Sequence, residues 1–163
     1  MLANHYFSLY KLRNTSYDIL HETYYSSNPV TTGATGRVIT VHDMIHEKFR
    51  ANFSLQDPAI RFKRLAVGRA DHVICISHST KNDVCEIYDL PTDQVSVVHH
   101  GFEKFIPQSI RTEPQVLNLR PFLLYVGSRG GYKNFEGMLR AVARSPALQK
   151  TFDVVAFGGG SFT

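Results

Sequence analysis

The stretch Phe122-Leu123-Leu124-Tyr125-Val126-Gly127-Ser128-Arg129-Gly130-Gly131-Tyr132-Lys133-Asn134 passes from a continuous apolar segment, through a glycine-bearing turn, into a segment with helical spacing. Downstream, Met138, Leu139, Val142 and Ala143 recur at helical intervals. The pattern ends at Ser145-Pro146 because a residue before proline avoids helical dihedrals, and Asn134 stands where a cap belongs. An apolar run without polar alternation is the mark of a strand covered on both faces, as in parallel sheets flanked by helices. Five further short apolar segments share it: residues 17–20, 38–41, 73–76, 95–98 and 154–157. Between them come helical intervals. Residues 55–69 place Ala59, Phe62, Leu65 and Ala66 on one face and Arg61, Lys63 and Arg64 largely on the other. A second helix is expected to begin near Ser79 or Thr80, with Asp83 as a capping-box partner. It buries Val84 and Ile87 with Cys85 or Tyr88, and stops by Pro91. Strand and helix in alternation predict an α/β fold with largely parallel sheets.

Residues 102–120 break the rhythm with Pro107, Pro114 and no clear period, which reads as a linker between two lobes, 1–101 and 121–163. The second lobe offers strand, helix and strand before Gly158-Gly159-Gly160-Ser161-Phe162-Thr163. Units of about 60 residues seldom bury enough surface alone, so the expectation is an internal or truncated piece of a larger protein. At 163 residues, 43% hydrophobic and 20% charged, the chain can fill a core and is neither disordered nor fibrous. Its apolar runs are far shorter than the ~20 residues that cross a bilayer, and residues 1–14 lack a signal-peptide core. Cys75 and Cys85 are too few for a disulfide framework, which predicts reduced thiols in a cytoplasmic protein. The net charge of +4 is unevenly spread: residues 1–101 hold ten Lys/Arg and ten Asp/Glu, residues 102–163 hold eight against four. That basic second part suits a phosphate, a nucleic acid or an anionic lipid.

The turn at 127–133 carries the clearest chemistry. Backbone amides there can approach an anion, a helix N-terminus adds partial positive charge, and Arg129 with Lys133 can neutralise two phosphates. A guanidinium fork and a mobile ammonium are complementary on a diphosphate. The same residues also fit a solvated turn with two surface cations. The spacing is neither GxxxxGK[ST] nor GxGxxG. Gly158, Gly159 and Gly160 likewise follow a strand, where open α/β sheets bind ligands, although a plain turn reads equally from them. In Val41-His42-Asp43-Met44-Ile45-His46-Glu47 the order of His and Glu is wrong for HExxH zinc, so no metal is expected. His42 can instead hydrogen-bond a substrate hydroxyl or serve as a loop histidine. His99 and His100 would face opposite ways on an extended chain, so at most one touches a ligand. Ser77, His78 and Ser79 read as helix capping, and Tyr24 with Tyr25 as loop packing or a stacking surface.

Four segments together, residues 38–44, residues 69–77, Val97-Val98-His99-His100-Gly101 and residues 124–134, resemble the retaining glycosyltransferases of family four over about residues 17–163. The resemblance implies a GT-B architecture of two Rossmann-like lobes facing a cleft, the acceptor on the first and the nucleotide-sugar donor on the second. It implies that Arg129 and Lys133 are the diphosphate-binding pair and that His42 lies near the transferred sugar. Gly127 would shape the donor turn, Gly158, Gly159 and Gly160 would open the next donor-side loop, and Gly101 would precede the interlobe crossing. The implied reaction transfers a hexose, mannose or another, with retained anomeric configuration, to a glycan or lipid-linked acceptor in polysaccharide biosynthesis. It needs no cofactor or metal, because the cation pair and helix dipole stabilise the departing diphosphate. Peripheral contact with the inner face of the membrane is compatible with this reading, and oligomeric state is left open. The family's first strand and glycine-rich acceptor loop belong before residue 1, and its paired-glutamate motif after residue 163. Residues 1–163 alone are therefore expected to turn over little or no substrate. A nucleotide-sugar epimerase of the same fold and a non-enzymatic nucleotide-binding module are the competing readings. Aromatics at apolar strand positions, not interleaved with Lys and Arg, argue against nucleic acid.

Overall fold

The computed structural model describes residues 6–7, 10–12, 16–28, 34–103 and 120–159, and the chain divides into two compact units, Met1–Phe102 and Glu103–Thr163. Nearly all of the expected linker, and Gly160 of the terminal glycine run, lie outside the described residues. The protein is α/β, with one wholly parallel sheet in each unit.

In the first unit β1 (Ile19–Glu22), β2 (Gly36–Val41), β3 (His72–Cys75) and β4 (Val95–Val97) lie side by side in chain order. Helices α1 (Ile45–Lys48), α2 (Ala59–Gly68) and α3 (His78–Tyr88) occupy the connections. Ile39 and Val41 of β2, Val73 and Cys75 of β3, Val95 of β4, Met44, Ala66, Val67 and Val84 form the core. The first strand sits two residues later than the apolar run suggests, because it pairs from Ile19 opposite Gly36 to Glu22 opposite Ile39.

Two helix expectations are corrected. Helix α2 starts at Ala59, not Leu55, where the Asp57 carboxylate accepts the Ala59 amide at 2.8 Å beside Pro58. On it Leu65 is 43% exposed while Lys63, read as solvent-facing, is 1% exposed. The reason is α1: it presents Glu47, whose Oε2 lies 2.8 Å from the Lys63 ammonium. Helix α3 begins at His78, one residue ahead of the expected start, because Ser77 Oγ accepts the Thr80 amide at 3.1 Å.

In the second unit β5 (Phe122–Val126) and β6 (Asp153–Phe157) pair residue for residue, joined through α4 (Phe135–Ala143) and α5 (Pro146–Thr151). Ser145 caps α5, its Oγ accepting the Leu148 amide. Asn134 precedes α4 in a left-handed conformation and makes no side-chain cap. The second correction of burial is here: β5 is covered on one face. Phe135 opens α4 against the Tyr125 ring, centroids 4.7 Å apart, while Phe122, Leu124 and Val126 on the alternate face stay exposed. Among the described residues, no helix is long and apolar enough to cross a membrane.

Candidate functional site

The candidate residues fall into two groups, one at the carboxyl end of each sheet. In the first unit the chain leaves β2 at Val41 and enters an irregular turn, His42 to Met44, before α1. The His42 amide donates to the Tyr25 hydroxyl at 3.1 Å, and His42 Nε2 lies 3.0 Å from the Thr23 carbonyl oxygen. A carbonyl can only accept, so Nε2 carries the proton and Nδ1 is the nitrogen left for a substrate hydroxyl. The His42 carbonyl in turn receives the Thr80 hydroxyl at 3.4 Å. Backbone and ring are thus held from three directions.

His100 stacks on His42 with centroids 5.8 Å apart, whereas His99 turns back to donate Nδ1–H to the Ile76 carbonyl at 3.0 Å and meets His78 edge-on at 5.9 Å. One of the adjacent pair therefore joins His42 and the other does not. Tyr24 and Tyr25 also separate by role. Tyr24 is 60% exposed near His42, with centroids 6.3 Å apart, while Tyr25 is structural. Burial holds the Tyr25 phenol well above its ordinary range, against the opposing effect of the His42 amide that it accepts. Beneath this turn lies a cluster that the sequence did not reveal. Lys63 donates to the Asp43 carbonyl and to Glu47, Glu47 accepts the Tyr88 hydroxyl at 2.6 Å, and the Lys63 ammonium sits 5.3 Å from the Tyr25 ring centroid.

In the second unit the ends of β5 and β6 bring Gly127, Arg129, Gly158 and Gly159 together. The Gly127 amide donates to the Phe157 carbonyl at 2.9 Å, and an Arg129 guanidinium nitrogen donates to the Gly158 carbonyl at 2.6 Å. Gly158 and Gly159 have φ of +85° and +76°, and side chains there would press on Gly127 backbone and on the Arg129 guanidinium at 3.4 Å. Lys133 is exposed at the end of the tight helical turn Gly131–Lys133, its ammonium 5.2 Å from the Tyr132 ring centroid. The corner therefore offers a guanidinium, a nearby ammonium-bearing turn and a backbone opened by glycine, a combination able to receive an anion. Gly101 is exposed, just past β4. Among the described residues, no three His, Cys, Asp or Glu side chains gather as a metal ion would require.

Residues 1–104 match the family model described as Glycosyltransferase Family 4. No curated protein gives a significant match. The matched segment takes in the whole four-stranded parallel sheet, the His42 turn and the His99-His100 corner, and it spans well over half of the 163 residues. On that ground, and with the parallel α/β architecture in place, the chain belongs to glycosyltransferase family 4, a family of enzymes that transfer sugars.

Proposed function

We propose that this protein transfers a hexose from a nucleotide-sugar to a glycan or lipid-linked acceptor with retention of anomeric configuration. The observation that carries the proposal is the convergence of Gly127, Arg129, Gly158 and Gly159 at the carboxyl ends of β5 and β6. The second unit then serves the donor and the first the acceptor. Arg129 and Lys133 take the diphosphate, and the glycines let its oxygens approach the backbone. As the bond from the anomeric carbon to the diphosphate breaks, negative charge grows on the leaving oxygen. The anchored Arg129 guanidinium and the mobile Lys133 ammonium stabilise that charge without a metal ion. The acceptor hydroxyl forms its bond to the same face of the sugar and passes its proton to the departing phosphate oxygen. In the first unit His42, its Nε2–H given to the Thr23 carbonyl, offers Nδ1 to a sugar hydroxyl. Mannose suits the scheme as well as other hexoses do, and an acceptor at the inner face of a membrane is consistent with it.

The test is calorimetric titration of the chain with nucleoside diphosphates and the parent nucleosides. Diphosphates should bind and nucleosides should not. Arg129→Ala and Lys133→Ala should each weaken binding about tenfold or more, since a charge-assisted hydrogen bond contributes about 1.5–3 kcal/mol. Equal binding of nucleoside and diphosphate, or indifference to both substitutions, would overturn the donor assignment. Product analysis by NMR, on full-length protein, separates transfer with retention from simple isomerisation of the donor.

A further inference from the structure

Lys63 is an ammonium with 1% exposure on a helix whose other basic side chains face water. Burying a charge is costly, and two apolar side chains of similar volume would join α1 to α2 at lower cost. What an apolar pair would lack is a donor. Lys63 Nζ gives one hydrogen bond to Glu47 and another, at 2.8 Å, to the backbone carbonyl of Asp43. The same ammonium sits over the ring of Tyr25, whose hydroxyl accepts the His42 amide. Lys63 therefore grips the chain on both sides of His42: the carbonyl that follows it, and the ring that holds its amide. The His42 side chain is tied to Thr23, two residues from Tyr25 in the same loop.

We propose that Lys63 is a positioning residue for His42. By fixing the backbone at residues 42–43 it sets the direction in which Nδ1 points, and the Glu47 carboxylate keeps the ammonium in place. The inference rests on the reading of His42 as the residue that meets the sugar. Its structural part is measurable without that reading.

The experiment compares the unchanged chain with the double variant Lys63→Met/Glu47→Gln, which removes both charges at nearly constant volume and leaves an amide oxygen for Tyr88. Tyr88→Phe serves as a control that loosens the same cluster without touching residues 42–43. The readouts are the ring-nitrogen NMR shifts of His42, which report its tautomer and need no turnover, and the split between kcat and KM, read in full-length protein carrying the same substitutions. The double variant should fold and move the His42 shifts away from the Nε2–H form. It should lower kcat about 10- to 100-fold, as small misplacements of a reacting group do, with donor KM within about twofold. Tyr88→Phe should leave shifts and kcat near those of the unchanged chain. Unmoved His42 shifts in a folded double variant, or equal movement in the Tyr88 control, would overturn the proposal. Moved shifts with unchanged kcat would support the positioning and overturn the role given to His42 above. Should the double variant not fold, Lys63→Arg keeps a cation beside Glu47 but cannot reproduce the single-point contact with carbonyl and ring. It too should shift the His42 signals, and unmoved signals there count against the proposal.

Discussion

Gly158 and Gly159 combine a left-handed backbone with close neighbours, so each tolerates little beyond hydrogen. Gly158→Ala should destabilise the second unit by about 1–2 kcal/mol, the usual cost of placing a side chain in that conformation. The measurement is urea unfolding followed by a probe in that unit, such as the Tyr125–Phe135 pair; an unchanged midpoint would refute it. At Ser77 the residue-level reading of the sequence held, since a serine followed by a helical pattern is a cap whose partner, the Thr80 amide, is three residues away. Ser77→Ala should cost about 1 kcal/mol in urea unfolding followed by a probe in the first unit. Asn134 looked the same in sequence and is not a cap, because its own backbone turns left-handed and takes the side chain over Gly137 instead. A local pattern names the residue type a cap needs but not the dihedral it adopts.

At the scale of elements, α1, α2 and α3 are joined by Glu47, Lys63 and Tyr88, one from each helix. Removing Lys63 alone strands a carboxylate that is 6% exposed. Lys63→Met should therefore destabilise the first unit by about 3–5 kcal/mol, whereas the double variant that also neutralises Glu47 should recover most of that. Thermal and chemical melts of the two variants check it; equal losses would show that the stranded Glu47 carboxylate is not the source of the cost. Among the described residues, five of the six strands were legible as short apolar runs rich in β-branched or aromatic residues, whereas β1 reads two residues early because its second half, His21-Glu22, is polar. The burial of Lys63 was not, since helical spacing identifies the face toward the sheet but says nothing of a four-residue helix approaching from the side. The same limit applies to β5. Its unbroken apolar run matched a doubly covered strand, yet coverage depends on elements distant in sequence, and α4 reaches one face. The turn after β5 was readable for the opposite reason, as strand, turn and helix are contiguous there. The parallel register that brings Gly158 beside Gly127 is not a local property.

At the scale of the molecule, the first unit buries three groups whose neutral forms the fold prefers. Burial pushes the Cys75 thiol from 9.0 up to about 11. Tyr25 is raised chiefly by burial, and Tyr88 by burial and then by its hydrogen bond to Glu47, both beyond the ordinary phenol range. The unfolded chain gives up these protons at lower pH than the folded one, so it binds fewer protons in alkali and stability falls as pH rises. Full stability from Cys75 is present below about pH 9 and lost progressively to about pH 11, about 3 kcal/mol in all. Denaturant midpoints measured between pH 8 and 11 should decline, and Cys75→Ala should flatten the decline in its first part. A constant midpoint would contradict the assignment. The uneven charge belongs to this scale too: the basic excess lies in residues 102–163, the part that holds Arg129 and Lys133, so diphosphate affinity should weaken as salt is added. The Arg129 guanidinium, meanwhile, is anchored to the Gly158 carbonyl. A long side chain docked in this way has few rotamers left to surrender when an anion arrives. Association at that corner should therefore show a small entropic penalty and a fast, nearly rigid first encounter, with any slower rearrangement confined to the exposed Lys133 arm.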